Sequence, residues 1–309
     1  MIPILVLCFA RADTLRQTLA SILKQPHGPI YISCDGPTKT YEDGCSEVRE
    51  YVAELLRMGV IQQLRISEMN EGTLQGVSNG IDWFFEQETI GLIIEDDLVL
   101  EPRLLEAVDK STNYLFEGKV MSIGLYNRVP SLCISDPNRI VRRSKFVNSW
   151  GWITTREEWN NRVTSFQDVN YWQLFKVMTR AIGPSSAAYH FWCYLIQRRQ
   201  EKEDVRKCNW DDLWQIKCFL QNKTVAAFNR NLITNIGDGE GATHTFGKSL
   251  FAEIVPITDA EFKSSYCWNL PLEIDKISDA YFMRDRKITT ILREKLRIRT
   301  RLGLTRSFP

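Results

Sequence analysis

Apolar runs of strand length alternate with helix-period stretches through the first 126 residues. This alternation restricts the chain more than any other feature of it. Ile4 to Phe9 is a continuous apolar run, the pattern of a strand buried on both faces. Asp13 is placed to cap a following helix whose apolar face is Leu15, Leu19, Ile22 and Leu23. Pro29 to Ser33 is a second short strand, and it stops at the turn cluster Cys34-Asp35-Gly36-Pro37. Val48, Val52, Leu55 and Leu56 mark a second helix, and Ile61 to Ile66 a third strand. Leu74, Val77, Ile81, Phe84 and Phe85 mark a third helix. Ile90 to Ile94 is a fourth strand that runs straight into Glu95-Asp96-Asp97. Pro102 fits the first turn of a further helix, and Val120 to Leu125 reads as one more strand. Such alternation predicts an α/β fold with a mostly parallel sheet flanked by helices. Ligands of sheets of this kind sit beyond the carboxyl ends of the strands.

The character changes from about residue 127. The alternation fades, and seven of the nine tryptophans fall between Trp150 and Trp214, which predicts an aromatic-rich lobe built on the first half. With 309 residues the chain is long enough for a substantial core. Lys and Arg total 39 against 38 Asp and Glu, so overall charge makes no case for a nucleic-acid partner. None of the eight cysteines forms a CxxC pair, which argues against a zinc ribbon or a redox motif. No window reaches membrane-spanning length, and the N-terminal apolar run lacks the basic start of a signal peptide. A reducing, cytoplasmic setting is the expectation.

Glu95-Asp96-Asp97 is the sharpest chemical signal. Three successive anions at a strand end repel one another, and a divalent cation would relieve that repulsion. Mg²⁺ and Mn²⁺ take hard oxygen ligands, often one or two carboxylates plus substrate phosphates. A solvated acidic loop is the competing reading. Arg11 follows the first strand and Asp35 the second, so in a parallel sheet both emerge on the edge that carries the acids. An arginine there can clamp a diphosphate bidentately, and an aspartate can accept hydrogen bonds from a ribose or a base. His244, one of only three histidines, lies in the glycine-rich stretch Asn231 to Thr245 and could complete a metal's coordination. That stretch also matches a relaxed P-loop, but Thr243 to Phe246 are bulky for a phosphate cradle. In Asn209-Trp210-Asp211-Asp212-Leu213-Trp214, a carboxylate beside tryptophans suits a sugar site with a proton acceptor. The same segment also reads as a helix start followed by core aromatics.

With these motifs in order, the sequence resembles the GT-A (Rossmann-like) nucleotide-sugar glycosyltransferases. The general match covers residues 1–126, through Ile4 to Arg11, Ile32-Ser-Cys-Asp35 and Ile93-Ile-Glu95-Asp96-Asp97-Leu98. The Glu-Asp-Asp form is similar to the variant DxD motif of the N-acetylglucosaminyltransferase I type. A closer resemblance is to bacterial family-2-like transferases of surface polysaccharides. It is carried by Ser149-Trp150-Gly151-Trp152, Trp210-Asp211 and Asn235 to Thr245. The resemblance implies a nucleotide-sugar donor half over 1–126, an acceptor lobe over 127–250 and a C-terminal extension over 251–309. It implies that Asp97 and His244 bind Mn²⁺ or Mg²⁺, and that Glu95 and Asp96 contact donor sugar and ribose. Arg11 would meet the diphosphate and Asp35 the base or ribose, with a UDP-sugar favoured over a GDP-sugar. Trp150, Trp152 and Trp210 would bind a glycan or lipid-linked acceptor. Asp211 would be the general base of an inverting transfer, with Asp212 competing for the role. The segment Gly237 to Gly241 departs from the commoner Gly-Phe-Gly-Glu-Asp of that family.

Two other classes compete. A sugar-phosphate nucleotidyltransferase shares the sheet and the acidic edge, but usually has a glycine-rich basic loop after the first strand, and Ala10-Arg11-Ala12-Asp13 has no glycine. A non-catalytic carbohydrate-binding protein would use the tryptophans alone. The tail from Arg284 to Arg306 holds nine Lys/Arg against Asp285 and Glu294. It could dock residues 284–309 on an anionic membrane face, making the protein peripheral there, or pack on the body as a solvated helix.

Overall fold

The computed structural model describes residues 1–237 and 255–284. The N-terminal half runs β1 (Ile4–Cys8), α1 (Ala12–Leu23), β2 (Ile30–Cys34), α2 (Glu42–Arg57), β3 (Gln63–Ile66), α3 (Gly72–Gln87), β4 (Ile90–Glu95), β5 (Leu98–Leu100), α4 (Leu104–Ser111) and β6 (Val120–Gly124). The rest runs β7 (Val141–Ser144), β8 (Trp152–Thr155), α5 (Arg156–Asn160), α6 (Tyr171–Ile182), α7 (Pro184–Glu203), α8 (Trp210–Leu220), β9 (Thr224–Phe228), β10 (Ile233–Asn235), α9 (Asp259–Lys263) and α10 (Lys276–Phe282).

Eight strands form one sheet in the order β3-β2-β1-β4-β8-β6-β9-β7. The pairs β3–β2, β2–β1, β1–β4 and β6–β9 are parallel, whereas β8 and β7 run antiparallel to their neighbours. This is the expected α/β architecture, a mainly parallel sheet with helices on both faces. Period-two alternation splits each strand between two cores. Ile4, Val6, Ile30 and Ile32 pack with Leu15 and Leu19 of α1 and Val48 and Val52 of α2. Leu5, Leu7 and Tyr31 face the other way, onto Leu74, Ile81 and Phe84 of α3.

Residue 126 does not divide the sheet. Strand β8 inserts between β4 and β6, so the tryptophan-rich region shares the N-terminal half's own sheet. Asp13 sits in the first turn of α1 and is not its cap; Arg11 holds that position, with no side-chain capping bond. After Pro102, α4 begins at Leu104 behind Arg103, whose backbone is left-handed. Among the described residues no helix is long and apolar enough to cross a membrane. The basic tail beyond Arg284 and its predicted membrane contact lie outside the described residues.

Candidate active site

The acidic cluster stands at the carboxyl edge of the sheet. Glu95 is the last residue of β4, and Asp96-Asp97 make the turn into β5. Arg11 leaves β1 on the same edge. Its Nη2 donates to Asp96 Oδ1 at 3.0 Å and to Asp97 Oδ2 at 2.7 Å. The Phe9 backbone N–H donates to Asp96 Oδ2 at 3.2 Å. Thr18 of α1 donates its hydroxyl to the Asp96 carbonyl at 2.9 Å, fixing the turn from beneath. Asp96 and Asp97 are only 5% and 8% exposed. One guanidinium faces three carboxylates, and the electrostatics record the shortfall. Burial and the repulsion of Asp97, Asp96 and Asp211 push the Glu95 carboxyl up to about 8. Burial pushes Asp96 up to about 6 against the pull of Arg11.

The short antiparallel pair β5–β10 brings Ile233 to Gly237 onto this cluster, with Asn235 opposite Leu98. Ile236 N–H donates to the Asp97 carbonyl at 2.9 Å, and the Gly237 carbonyl accepts from Arg11 Nη1 at 3.4 Å. Gly237 lets the two segments approach closely here: a Cβ would lie 2.0 Å from Asp97 Oδ2 and would displace that carboxylate. The residues present fit a hard cation: Asp97 Oδ1 is buried and has no hydrogen-bond partner. Among the described residues no three His, Cys, Asp or Glu side chains are already gathered as a ligand set. His244, the predicted second ligand, lies outside the described residues.

Beside the cluster opens a cavity of about 630 Å³, lined by Arg11, Asp35, Glu95 and Asp96, with Phe9 and Tyr41 among its apolar walls. The sequence thus places Arg11, Asp35, Glu95 and Asp96 in one hollow. Asp35 is heavily committed within it. Its Oδ1 accepts from Gly36 N–H at 2.7 Å and Glu71 N–H at 2.9 Å; its Oδ2 accepts from Asn70 Nδ2 at 3.0 Å and Gly72 N–H at 3.2 Å. Those bonds hold the start of α3 against the cavity.

A second cavity, about 350 Å³, is lined by Tyr126, Arg128, Arg142, Asn148, Tyr189, Asp211 and Asp212, among others. Asp211 and Asp212 occupy the first turn of α8, where the helix dipole favours negative charge. Asp211 lines this cavity and Glu95 the larger one, and the charge of Asp211 contributes to the upward push on the Glu95 carboxyl.

The tryptophan expectations divide. Trp152 is 1% exposed and Trp210 7%; they stack on each other at 5.3 Å and pack with Trp159 and Trp214. Trp152 sits on a central strand inside this packing, so its predicted acceptor contact is corrected to a core role. Trp210, the first residue of α8, packs on it and lines a further cavity of about 350 Å³ with Leu213 and Trp214. Trp150 stays at the edge, half-buried, 4.8 Å from Tyr126 and under the Arg128 guanidinium at 4.7 Å. Gly151 separates the two fates with φ +70°, a turn in which an L side chain is strained. Sequence reasoning missed Arg128 and Arg142. The only available signals were two arginines beside aromatic or β-branched neighbours, and such pairs are common.

No family model matches the chain, and no curated protein matches it. Similar solved structures are S. aureus TarS 1–349 (9% identity, 77% of this chain and 61% of that one, TM-score 0.44); GalNAc-T7 with UDP, GalNAc and Mn²⁺ (11%, 74% and 43%, TM-score 0.43); and the mannosyltransferase PcManGT from Pyrobaculum calidifontis with GDP-Man and Mn²⁺ (11%, 70% and 68%, TM-score 0.39). The chain thus spans less than two thirds of the first of these. What the two hollows can do is read from their own residues.

Proposed function

We propose that the protein is a metal-dependent GT-A-type glycosyltransferase, moving a sugar from a nucleoside-diphosphate donor to a glycan hydroxyl with inversion. The observation that carries this reading is the buried Asp97 Oδ1, which has no hydrogen-bond partner, on a carboxylate bonded to Arg11, and Arg11 itself lines the 630 Å³ cavity. A divalent cation, Mn²⁺ or Mg²⁺, held by Asp97 and His244 would supply charge for the departing diphosphate. Arg11 binds that diphosphate, and Glu95 and Asp96 orient the ribose and donor sugar. Asp35 contacts the base or ribose through the loop it holds. Asp211 takes the proton of the acceptor hydroxyl, with Asp212 beside it, and Trp150 lines the acceptor entrance. On this reading the first half serves the donor and residues 127–250 serve the acceptor, in surface-polysaccharide synthesis on the cytoplasmic side.

The test is hydrolysis and thermal shift across UDP- and GDP-sugars with Mn²⁺ or Mg²⁺. A UDP-sugar should be turned over by the wild type and not by Asp97→Asn, with folding retained. Undiminished turnover in that variant, or indifference of the wild type to every nucleotide, refutes the assignment.

A further inference from the structure

We infer that the acceptor carries an oxyanion, a sugar carboxylate or a phosphate, and that Arg142 and Arg128 bind it. This inference rests on the glycosyl-transfer reading and names the class of its second substrate. Arg142 is 8% exposed, on the face of β7 that it shares with Ser144, and it lines the 350 Å³ cavity. Its Nη1 donates to the Phe228 carbonyl at 2.7 Å and to Asn229 Oδ1 at 2.8 Å. Its Nε is buried with no partner. With Nη1 committed, the edge that carries Nε and Nη2 is the one left to grip a carboxylate or phosphate with two parallel hydrogen bonds.

The protein's own acids do not take this place. Asp279 and Asp275 act on Arg142 only through their fields. The Asp279 carboxylate accepts from Ser144 Oγ at 2.5 Å and Lys145 N–H at 3.0 Å. Asp275 accepts from Ser135 N–H and Oγ at 2.9 and 2.7 Å, and from the N–H groups of Ile277 and Ser278. A buried charge without a close counter-ion is expensive, and an incoming anion would compensate it. Arg128 lines the same cavity, with its guanidinium laid over Trp150 at 4.7 Å and Tyr126 at 5.6 Å. Stacking holds its plane while leaving its donors available. The cavity therefore offers arginines from the sheet side and the carboxylates of Asp211 and Asp212 from α8. An acceptor whose anion meets the arginines can present a hydroxyl to Asp211.

The experiment is calorimetry with UDP and Mn²⁺ saturating the donor cavity, so that phosphate cannot bind there. The probes are methyl glucuronoside, glucose 6-phosphate and the neutral methyl glucoside. At least one oxyanion probe should bind roughly tenfold more tightly than methyl glucoside, the size of one charge-assisted hydrogen bond. The better of the two arms tells carboxylate from phosphate. Arg142→Gln and Arg128→Gln should each remove most of that preference and leave methyl glucoside affinity unchanged. Arg142 is buried, so its variant is checked by its melting curve, and the exposed Arg128 variant tests the idea without a folding risk. Equal affinity for charged and neutral probes, or a preference that survives both substitutions, overturns the inference. If UDP does not bind, GDP replaces it as the saturating nucleotide, and failure of both to bind would instead defeat the glycosyl-transfer reading.

Discussion

Replacing Arg11 by methionine tests the charge logic of the site most directly. Among the described residues the arginine is the only cation bonded to Asp96 and Asp97, whose side chains are 7% and 11% exposed, while its own is 31% exposed. Breaking a fully buried ion pair by removing one partner costs about 3–5 kcal/mol. Two effects reduce that here. Water reaches the arginine side of the pair, and Asp96, already pushed up to about 6, can take a proton to relieve the cluster. A net loss of about 2–3 kcal/mol is expected, which lowers the melting temperature by roughly 5 °C in a chain of this size. The direction of the cation response is the sharper readout. Without the guanidinium, Asp96 and Asp97 present more uncompensated charge, so Mn²⁺ should stabilise Arg11→Met more than it stabilises the wild type. Differential scanning fluorimetry with and without Mn²⁺, supported by urea titration, measures both quantities. A variant as stable as the wild type, or one that Mn²⁺ stabilises no more than the wild type, would show that the acids do not form one charged unit.

Three further outcomes are expected. Asp211→Asn should leave UDP binding intact and lower the transfer rate by about 10²-fold or more, while Asp212→Asn should have a smaller effect; the two rates are compared under saturating donor. Glu158 accepts from Lys217 Nζ at 2.7 Å and Lys223 Nζ at 2.6 Å; burial would raise its carboxyl, but these two lysines hold it below the usual range. Its stabilisation is therefore complete above the ordinary glutamate range and is lost as pH falls through the depressed folded value. Glu158→Gln, which strands the fully buried Lys217, should cost about 3 kcal/mol near neutrality and progressively less in acid, as read from urea midpoints across pH. Gly151→Ala should cost about 1–2 kcal/mol from its left-handed backbone, with the new methyl pressing on Ile233, and a melting curve indistinguishable from wild type would contradict that.

The first half of the fold is legible because its central strands are buried on both faces. Ile4–Cys8 and Ile30–Cys34 are uninterrupted apolar runs, and the helices between them carry strong 3.6-residue stripes. Strand β7, Val-Arg-Arg-Ser, is hidden for the opposite reason. Its two arginines are buried through hydrogen bonds to Phe228, Asn229, Pro271 and Thr224, partners that only the tertiary fold supplies. Strands β5 and β10 have three residues each and mean little until paired. Yet their pairing is what carries Gly237 across more than a hundred residues to Asp97. At the site, Arg11, Asp35 and the three acids follow from sheet topology, since successive parallel strands end on one edge. The fates of Trp150 and Trp152 do not, because both belong to one short motif and only the left-handed turn at Gly151 decides which is buried.

The β5–β10 pair bears on why the acids are tolerable at all. A chain that needed only stability would not bury Asp96 and Asp97 behind one arginine, with Glu95 pressed toward its neutral form. The backbone around them is nonetheless fixed from three directions: Phe9 N–H bonds the Asp96 carboxylate, Thr18 its carbonyl, and Ile236 N–H the Asp97 carbonyl. None of these bonds neutralises charge. They hold the repulsion in place, and they leave Asp97 Oδ1 without a partner. A rigid, undercompensated anionic turn stores an unfavourable interaction that a bound cation and its diphosphate would relieve. On the proposed reading the turn itself would need no reordering on binding, because these bonds already hold it.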